Sequence, residues 1–536
     1  MIRTTKSVKI SGTEGIPTLI ECLIDKGVGI HIVGIAGQSC RDSLLRTATA
    51  LQSCGYSLPG KKIVFNIAPA DLHKSSTGYD LPIALTLIAA SGQDNGLDDD
   101  GSGNLRLLLA SLSSWLVVGE LGLDGSVRDV PGCIQAVEAA IAEGCEGVII
   151  PKGNSIEVID LFTEKDILIY GVGTLKEAVA CIAGPSYFPT IWDAPKNQPT
   201  KNHVPKEPVW NRLGDASQRR ALEIAASGGH HVLLVGPNGS GKETAAKALR
   251  DILPPMTREE ALSVARVYSV YGGGQYRAAC KDDGVYRRPF RNPHYSCSLT
   301  ALLGGGCGEK LTPGEVSLAT EGVLCLNDFT EMPRSLKEAL RGPLEDRKVV
   351  LTRLHSKVEY PARFQLVLTT APCPCGRYGE GDDCVCSPSQ RTKFLQGIWG
   401  PVYDMTDVQV FVRKFNPFHK AELPEEEQAE AVAKRVAKAR DIQYARLGEG
   451  RLNADMTSKE VELHCRLKPS EKELLEKLYE HLGLSMRAYT RILKIARTIA
   501  DMNDHEDIGT ADLAEAASYR FLDRFDTLHG VIDQAS

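Results

Sequence analysis

A glycine-rich stretch near the middle of the chain, GPNGSGK at 236–242, has the residue types and spacing of a phosphate-binding loop. Its glycines allow a tight backbone path that aims N–H groups at a phosphate chain, and Lys242 can reach the terminal phosphates. The strand-like HVLLV before it and the helix-like ETAAKALRDIL after it argue against the alternative, a glycine-rich turn with an incidental lysine. The residues expected to hold ATP or ADP are Gly236, Pro237, Asn238, Gly239, Ser240, Gly241, Lys242, Glu243 and Thr244.

The residue after the loop lysine departs from the usual pattern. A Ser or Thr hydroxyl normally holds Mg²⁺ there, and this chain has Glu243. Thr244 comes one residue late, which on a helix turns its side chain by about 100°. The usual magnesium ligand is therefore missing from its place.

A second group of residues could bind a metal ion. Four cysteines follow the spacing C-x-C-x₈-C-x-C within PCPCGRYGEGDDCVCS. Two close thiolate pairs across a glycine-rich turn could form a tetrahedral Zn²⁺ site, although the spacing is tighter than the common C-x₂-C. The alternative is four reduced loop cysteines. The candidate zinc ligands are Cys373, Cys375, Cys384 and Cys386.

The bulk composition sets limits on the function. The chain has 536 residues and a formal net charge of −6, which gives no global attraction to nucleic acid or membrane. No apolar run is long enough to span a bilayer, and the N-terminus lacks the apolar core of a secretory signal. The 15 cysteines are mostly scattered singly, so they are expected to be reduced thiols. These features predict a cytoplasmic protein without a membrane partner.

The order of patterns predicts an α/β protein in several parts. Residues 1–185 alternate strand-like and helix-like segments, and 186–210 form a proline-containing linker. A second α/β unit follows at 211–415, and 416–536 is helical. In the helical part, Ser470 with Glu473 has the spacing of a capping box. The periodicity there also predicts one buried helix face, formed by Ile492, Ile495, Ala496 and Ile499.

Several long stretches occur in an order that resembles a known family. They include RALEIAASGGH, LLVGPNGSGK, PGEVSLATEGVLCLND, YPARFQLVLTTAPCPCG and LSMRAYTRILKIARTIAD. Together they are similar to the magnesium-chelatase-subunit-I-like AAA+ proteins, and closest to the bacterial ComM group. The resemblance implies a Lon-protease-like α/β domain, a P-loop AAA+ core with a doubly wound parallel sheet, and a helical lid. It also implies a ring, usually a hexamer, with ATP between subunits. Members of the ComM group act on branched DNA as helicases, and chelatase relatives insert metal into a tetrapyrrole.

Five polar groups that the resemblance implies around the nucleotide are replaced here. Besides Glu243, the strand-end Asp that would hold Mg²⁺ is Asn327, and the Glu that would polarise the attacking water is Asp328. The sensor Asn is Ala371, and the inter-subunit arginine finger falls at Met405. An arginine finger alone is worth about 10³- to 10⁵-fold in rate in well-studied hydrolases. The sequence therefore predicts nucleotide binding with slow or absent hydrolysis, and Asp328 is the one remaining candidate catalytic residue.

Parts of the implied site survive, and alternatives stay open. Arg487 matches the lid arginine that would contact the γ-phosphate. Glu243 and Asn327 could instead form a swapped Mg²⁺ site, because a carboxylate is a good oxygen ligand. The competing roles are an ATP-driven motor on DNA branches, a nucleotide-binding scaffold or regulator that shares its ring with an active homologue, and a chelatase-type subunit.

Three further features carry weaker alternatives. The basic and aromatic stretch RPFRNPHYS at 288–296 could meet DNA in a ring channel, and structural bracing is the favoured interpretation. His230 precedes the loop strand and is interpreted as a packed core residue. At the Lon-like dyad positions stand Asp80 and Gln135, so no nucleophile and base occur together and no peptidase activity is expected.

Overall fold

The computed structural model describes most of the chain. Two sheets, of seven and five strands, and a helical C-terminal region make up the architecture. The described residues are 2–33, 38–69, 77–93, 112–183, 188–193, 207–272, 281–282, 285–307, 310–353, 356–379, 384–398, 402–414, 423–482 and 484–523.

The N-terminal region is built on the seven-stranded sheet, with strand order β3-β4-β2-β1-β5-β8-β9. β2 pairs antiparallel with β1 and β4, and the other neighbours are parallel. A short hairpin, β6-β7, lies beside the sheet. The strands are β1 Arg3–Ser11, β2 Glu14–Asp25, β3 Gly29–Val33, β4 Lys62–Ala68, β5 Trp115–Val117, β6 Glu120–Leu121, β7 Val127–Arg128, β8 Gly147–Pro151 and β9 Leu168–Val172.

Helices cover both faces of this sheet, so it has an apolar core on each side. β8, between β5 and β9, is buried along its whole length, whereas β4 alternates between buried and half-buried residues. Continuous burial is expected for a parallel strand covered on both faces. The helices are α1 Gln38–Ser53, α2 Asp80–Ser91, α3 Cys133–Ala142, α4 Ser155–Val158 and α5 Leu175–Ala183.

The central region is built on the five-stranded sheet, in which all neighbours are parallel and the order is β13-β16-β19-β10-β20. The side chains of its middle strands alternate between two buried clusters, one on each face of the sheet. Three two-stranded ribbons, β11-β12, β14-β15 and β17-β18, accompany it. The strands are β10 Val232–Val235, β11 Lys281–Asp282, β12 Val285–Tyr286, β13 Phe290–Arg291, β14 Gly304–Cys307, β15 Lys310–Pro313, β16 Val323–Leu326, β17 Lys348–Arg353, β18 Ser356–Pro361, β19 Gln365–Thr370 and β20 Val408–Phe411.

The helices of the central region flank this sheet. The first of them begins with Asp215, whose side chain accepts from the Ser217 N–H as a cap. The helices are α6 Ala216–Gly228, α7 Lys242–Asp251, α8 Arg258–Gly272, α9 Leu299–Leu303, α10 Glu315–Leu318, α11 Arg334–Ala339, α12 Arg341–Asp346 and α13 Pro388–Leu395.

The C-terminal region is helical, as predicted, and packs on α6. The four residues predicted on the buried face of the helix Met486–Met502 are all fully buried, namely Ile492, Ile495, Ala496 and Ile499. The predicted capping box at Ser470 and Glu473 is wrong. The helix begins at Pro469, a residue suited to the first helical turn, so Ser470 lies inside it. The helices are α14 Ala429–Leu447, α15 Ser458–His464, α16 Pro469–Leu482, α17 Met486–Met502 and α18 Thr510–Ser518.

The N-terminal and central regions meet through α3 and α8. Gln135 donates to the Arg266 carbonyl at 2.8 Å, and Arg266 pairs with Glu138 at 2.6 Å. Gln135, at the Lon-like lysine position, therefore serves this contact. At the serine position, Asp80 is buried and pairs with Arg46 at 2.9 Å.

The predicted α/β fold class is confirmed, with a mixed seven-stranded sheet, a parallel five-stranded sheet and a helical C-terminal part. The domain boundaries drawn at 185, 210 and 415 stay a prediction. Trp210, at the end of the predicted linker, is fully buried in the core that joins α6 to the lid. Among the described residues, no helix is both long and apolar enough to cross a bilayer.

Candidate functional site

The phosphate loop lies at the carboxyl edge of the five-stranded sheet, between β10 and α7. Gly239 and Gly241 have φ of 80° and 87°, a region that favours glycine. A Cβ on Gly236 would lie 2.3 Å from the Val412 carbonyl oxygen, so the loop can pass this point only without a side chain. Because α7 begins at Lys242, its free N–H groups face the loop, where an anion would bind.

Lys242 lies along its own loop. Its Nζ donates to the carbonyl oxygens of Gly236 at 2.6 Å and Pro237 at 2.8 Å. These neutral acceptors hold the ammonium where a phosphate oxygen could replace them, and a charged acceptor makes the stronger hydrogen bond. The geometry suits an ammonium held ready for a phosphate.

Two backbone hydrogen bonds fix the loop to the end of β19 and to the turn after it. The Gly236 N–H donates to the Thr370 carbonyl at 3.2 Å, and the Asn238 N–H donates to the Gly376 carbonyl at 3.0 Å. Neither contact was predicted, because the sequence does not show that β19 neighbours β10 in the sheet.

The side chains expected to bind Mg²⁺, Glu243 and Asn327, both interact with other residues of the chain. Glu243 is exposed and forms an ion pair with Lys247 at 2.6 Å, one helical turn along α7. Asn327 accepts from the Thr369 hydroxyl at 3.1 Å and from the Cys325 thiol at 3.3 Å. Burial raises the pKa of Cys325, and the Glu243 carboxylate raises it further. Cys325, in β16, thus donates to Asn327 and is affected electrostatically by Glu243.

The three remaining replaced positions divide between the two edges of the sheet. Asp328 is exposed at the end of β16, and its φ of 49° turns the chain sharply there. Ala371 follows β19 and offers no polar side-chain atom to a nucleotide. Met405 precedes β20, and because β20 runs parallel to β10 it lies at the amino edge, opposite the loop.

Arg487 also lies at the amino edge. It is exposed and pairs with Asp404 at 2.7 Å. The four residues of β10 separate this edge from Gly236 by about 13 Å, at about 3.3 Å per residue. Arg487 and the phosphate loop of one chain are therefore not brought together.

A buried polar network joins the lid to the core at the amino edge. His230 is fully buried, and its ring contacts Asp407 at 3.2 Å and Thr498 at 2.8 Å. Burial opposes the charge on Asp407, but Arg491 and the His230 hydrogen bond hold the pKa of that carboxyl well below its usual range. The interpretation of His230 as a packed core residue is confirmed.

The neighbouring His231 is a base that stays neutral. Its Nδ1 accepts from the Leu366 N–H at 3.1 Å, which requires an unprotonated nitrogen. Burial lowers the pKa of His231 to about 4. A polar cavity of about 290 Å³ lies beside it, lined in part by Arg440, Arg491 and Lys494.

The basic stretch at 288–296 braces the core. Arg288 is buried, pairs with Glu260 at 2.8 Å and donates to backbone carbonyls. Arg291 pairs with Glu315 through two bonds of 2.6 Å. Guanidinium groups engaged in this way are not presented to a nucleic acid, which favours the structural interpretation.

The four cysteines converge into one cluster. Their sulphur atoms all lie within 4.8 Å of one another, and Cys373 is buried. The Cys375 sulphur lies 3.4 Å from that of Cys373 and 3.7 Å from that of Cys384. Although burial acts to raise it, hydrogen bonds from the Arg377 N–H and the neighbouring thiols lower the pKa of Cys375 to about 6. The cluster is therefore compact and contains one acidic thiol.

Comparison with known proteins identifies the family. Three family models match the chain. The model described as "Magnesium chelatase, subunit ChlI" matches residues 211–419, and the model of its C-terminal part matches 426–520. The model described as "Subunit ChlI of Mg-chelatase" matches 20–154. The chain is 37% identical over 516 residues to the uncharacterized protein YifB of Escherichia coli, covering 96% of each chain. It is 36% identical over 501 residues to the competence protein ComM of Haemophilus influenzae, covering 92% of each. A shorter match, 30% identical over 173 residues, covers 31% of this chain and 24% of an archaeal Lon protease of Methanocaldococcus jannaschii. The chain therefore belongs to the magnesium-chelatase-subunit-I-like AAA+ family, in the ComM group.

Proposed function

We propose that this protein binds ATP or ADP at residues 236–244 and hydrolyses ATP slowly or not at all. Two kinds of feature differ at the carboxyl edge of the sheet. The loop keeps its glycine geometry and its lysine, while the polar groups that would hold Mg²⁺ and activate water are replaced. Binding to the loop depends mainly on backbone N–H groups and Lys242, so it tolerates changes that chemistry does not.

The replaced groups bear on separate parts of hydrolysis. Asn327 is neutral and already accepts two hydrogen bonds, so it is a poor substitute for a magnesium-holding carboxylate. Asp328 is shorter than the expected Glu, and Ala371 cannot bond a phosphate. Each of the lost groups would stabilise charge or position a reactant in the transition state. One compensating residue therefore cannot restore the rate of hydrolysis that is lost with all of them.

A ring assembly follows from the family and fits the positions of the lid groups. Arg487 lies at the amino edge, about 13 Å or more from its own loop. We infer that it contacts a nucleotide bound to a neighbouring subunit, in a ring that is usually hexameric in AAA+ proteins. Met405, at the expected finger position, would face the same neighbour without a charge.

The cellular role we propose is in DNA processing in the cytoplasm, as a nucleotide-dependent scaffold or regulator beside an active homologue. One relative is named a competence protein, and the family resemblance implies branched DNA as the substrate.

The second candidate function is an active DNA branch-migration motor. It is supported by Cys325, whose thiol donates to Asn327 and whose pKa is raised in part by the Glu243 carboxylate, so Glu243 and Asn327 both act near one residue and could form a swapped Mg²⁺ site.

A nucleotide titration tests the binding half of the proposal. We expect a fluorescent ATP analogue to bind the wild-type protein and Lys242→Ala to weaken it about 100-fold, because a charged hydrogen-bond donor to phosphate is lost. Lys348→Ala is the matched control, since Lys348 forms only an exposed ion pair with Glu359. Equal affinities for both variants, or no binding to wild type at millimolar analogue, would remove the proposal.

A further inference from the structure

The four clustered cysteines have the geometry of a metal site. We propose that Cys373, Cys375, Cys384 and Cys386 hold one zinc ion and that this centre supports the phosphate loop. The first half stands on the sulphur positions alone. The second half rests on the proposed nucleotide binding.

The distances between the sulphur atoms fit a single tetrahedral ion. Zinc lies about 2.3 Å from a thiolate sulphur, so two corners of a regular tetrahedron are about 3.8 Å apart. The Cys373 sulphur lies 3.4 Å from that of Cys375 and 3.8 Å from that of Cys384. The Cys375–Cys384 distance is 3.7 Å, and all four atoms lie within 4.8 Å of one another.

Other fates of four thiols fit less well. A disulfide needs two sulphurs about 2.0 Å apart and would link the cysteines in pairs, whereas here each of three sulphurs contacts two others. An iron–sulphur cluster places several iron and sulphide ions among its cysteines. Sulphur atoms within 4.8 Å of one another enclose space for one ion only.

Both cysteine pairs are held by ordered backbone. Cys373 follows β19, and its carbonyl accepts from the Gly376 N–H at 3.0 Å in a tight turn. On the other side, Cys386 precedes Ser387, which caps α13 through a reciprocal pair of hydrogen bonds with Gln390. Both ends of the cluster are thus set by secondary structure.

The same tight turn contacts the phosphate loop. The Gly376 carbonyl accepts from the Asn238 N–H at 3.0 Å, and Gly376 has a φ of 71°. A Cβ on Gly376 would lie 2.4 Å from the side-chain amide nitrogen of Asn238. An ion bound by Cys373 and Cys375 would fix the turn formed by residues 373–376. It would thereby hold in place the Gly376 carbonyl that accepts from the Asn238 N–H.

Metal content tests the zinc site. We expect full-length protein purified under reducing conditions without chelator to carry about one zinc per chain by mass spectrometry, and Cys384→Ser to lose it. Cys297→Ser is the control, because Cys297 is a half-buried cysteine outside the cluster. Titrating wild type with a mercurial should release the zinc to a chromogenic chelator, which covers the case of a variant that fails to fold. Wild type with no zinc that cannot be reloaded, or Cys384→Ser with full zinc, would overturn the site.

The link to the loop has its own test. We expect Gly376→Ala to keep its zinc but to bind the fluorescent nucleotide about tenfold more weakly, because the added Cβ displaces the Asn238 side chain and strains the turn at a positive φ. Gly144→Ala is the control, since Gly144 also has a positive φ of 63° but meets nothing within 4 Å. Removal of zinc from wild type should weaken binding similarly, and reloading should restore it. Zinc-free protein with unchanged affinity would overturn the link alone. Zinc-loaded wild type that binds no nucleotide would overturn the proposed function and leave the metal site.

Discussion

The two edges of the five-stranded sheet are built on different principles. At the carboxyl edge, the phosphate loop is shaped by glycine conformations and backbone hydrogen bonds, and Glu243 and Asp328 are exposed. At the amino edge, the buried His230 and Asp407 and the half-buried Arg491 form a polar network that joins the core to the C-terminal helices. A site made of backbone can keep its shape when the side chains around it change. A buried ionic network cannot lose one member without leaving its partner unpaired.

The amino edge should therefore respond most strongly to a single substitution. Asp407→Asn keeps the size of the side chain but removes the buried carboxylate that pairs with the half-buried Arg491 guanidinium. We expect a loss of about 3–5 kcal/mol in the free energy of unfolding, measured with urea. Asp404→Asn is the control, because its pair with Arg487 is exposed. A change below about 1 kcal/mol in Asp407→Asn would break the contrast between the edges.

The carboxyl edge should accept restored chemistry without losing its shape. We expect the combined variant Glu243→Thr, Asn327→Asp, Asp328→Glu, Ala371→Asn and Met405→Arg to hydrolyse ATP at least about 100-fold faster than wild type. The physical reason is that an arginine finger and a positioned water supply most of the rate in such enzymes. Phosphate release measures the rate, and the same variant with Lys242→Ala is the control for contaminating activity. A rate no higher than that of wild type would mean that other residues limit hydrolysis.

Acid should weaken the amino edge through His231. The folded-state pKa of about 4 lies below the ordinary 6.5, so the unfolded chain binds a proton first as pH falls. The stability that the neutral ring contributes is complete above pH 6.5 and is lost between pH 6.5 and about 4. A fully buried ring would be worth about 3 kcal/mol, and because His231 is partly exposed we expect about 2 kcal/mol.

His231→Asn offers the same acceptor to the Leu366 N–H without a titrating group. Urea unfolding at pH 7 and pH 4.5 should show less acid loss in this variant than in wild type. His294→Asn, at an exposed histidine, should behave as wild type. An equal acid loss in His231→Asn and wild type would contradict the assignment.

The smallest effect is expected at Arg487. Its ion pair with Asp404 is largely exposed, so Arg487→Ala should change the free energy of unfolding by less than about 1 kcal/mol. Because Arg487 lies far from its own loop, nucleotide affinity at protein concentrations where the chain is monomeric should also be unchanged. A tenfold loss of affinity in the monomer would mean that the lid closes over its own nucleotide.

Local sequence patterns predicted the loop, the two α/β units and the buried face of α17, because each depends on residues close together in the chain. The pattern failed at Ser470, where Pro469 begins the helix instead. The contact of Asn238 with Gly376 and the network around Asp407 could not be predicted, since both depend on which strands are neighbours in the sheet. One indication of these contacts was present in the sequence, which is that polar residues such as Thr369 and Asp407 occur within apolar runs. The cysteine spacing suggested a metal site, and only the structure brings the four sulphurs together.

Whether bound ATP is cleaved can be measured as steady-state phosphate release by wild-type protein at a nucleotide concentration shown by titration to saturate the loop, with and without branched DNA. We expect saturated binding and fewer than about one turnover per minute in both conditions. Several turnovers per second that Lys242→Ala abolishes would contradict it.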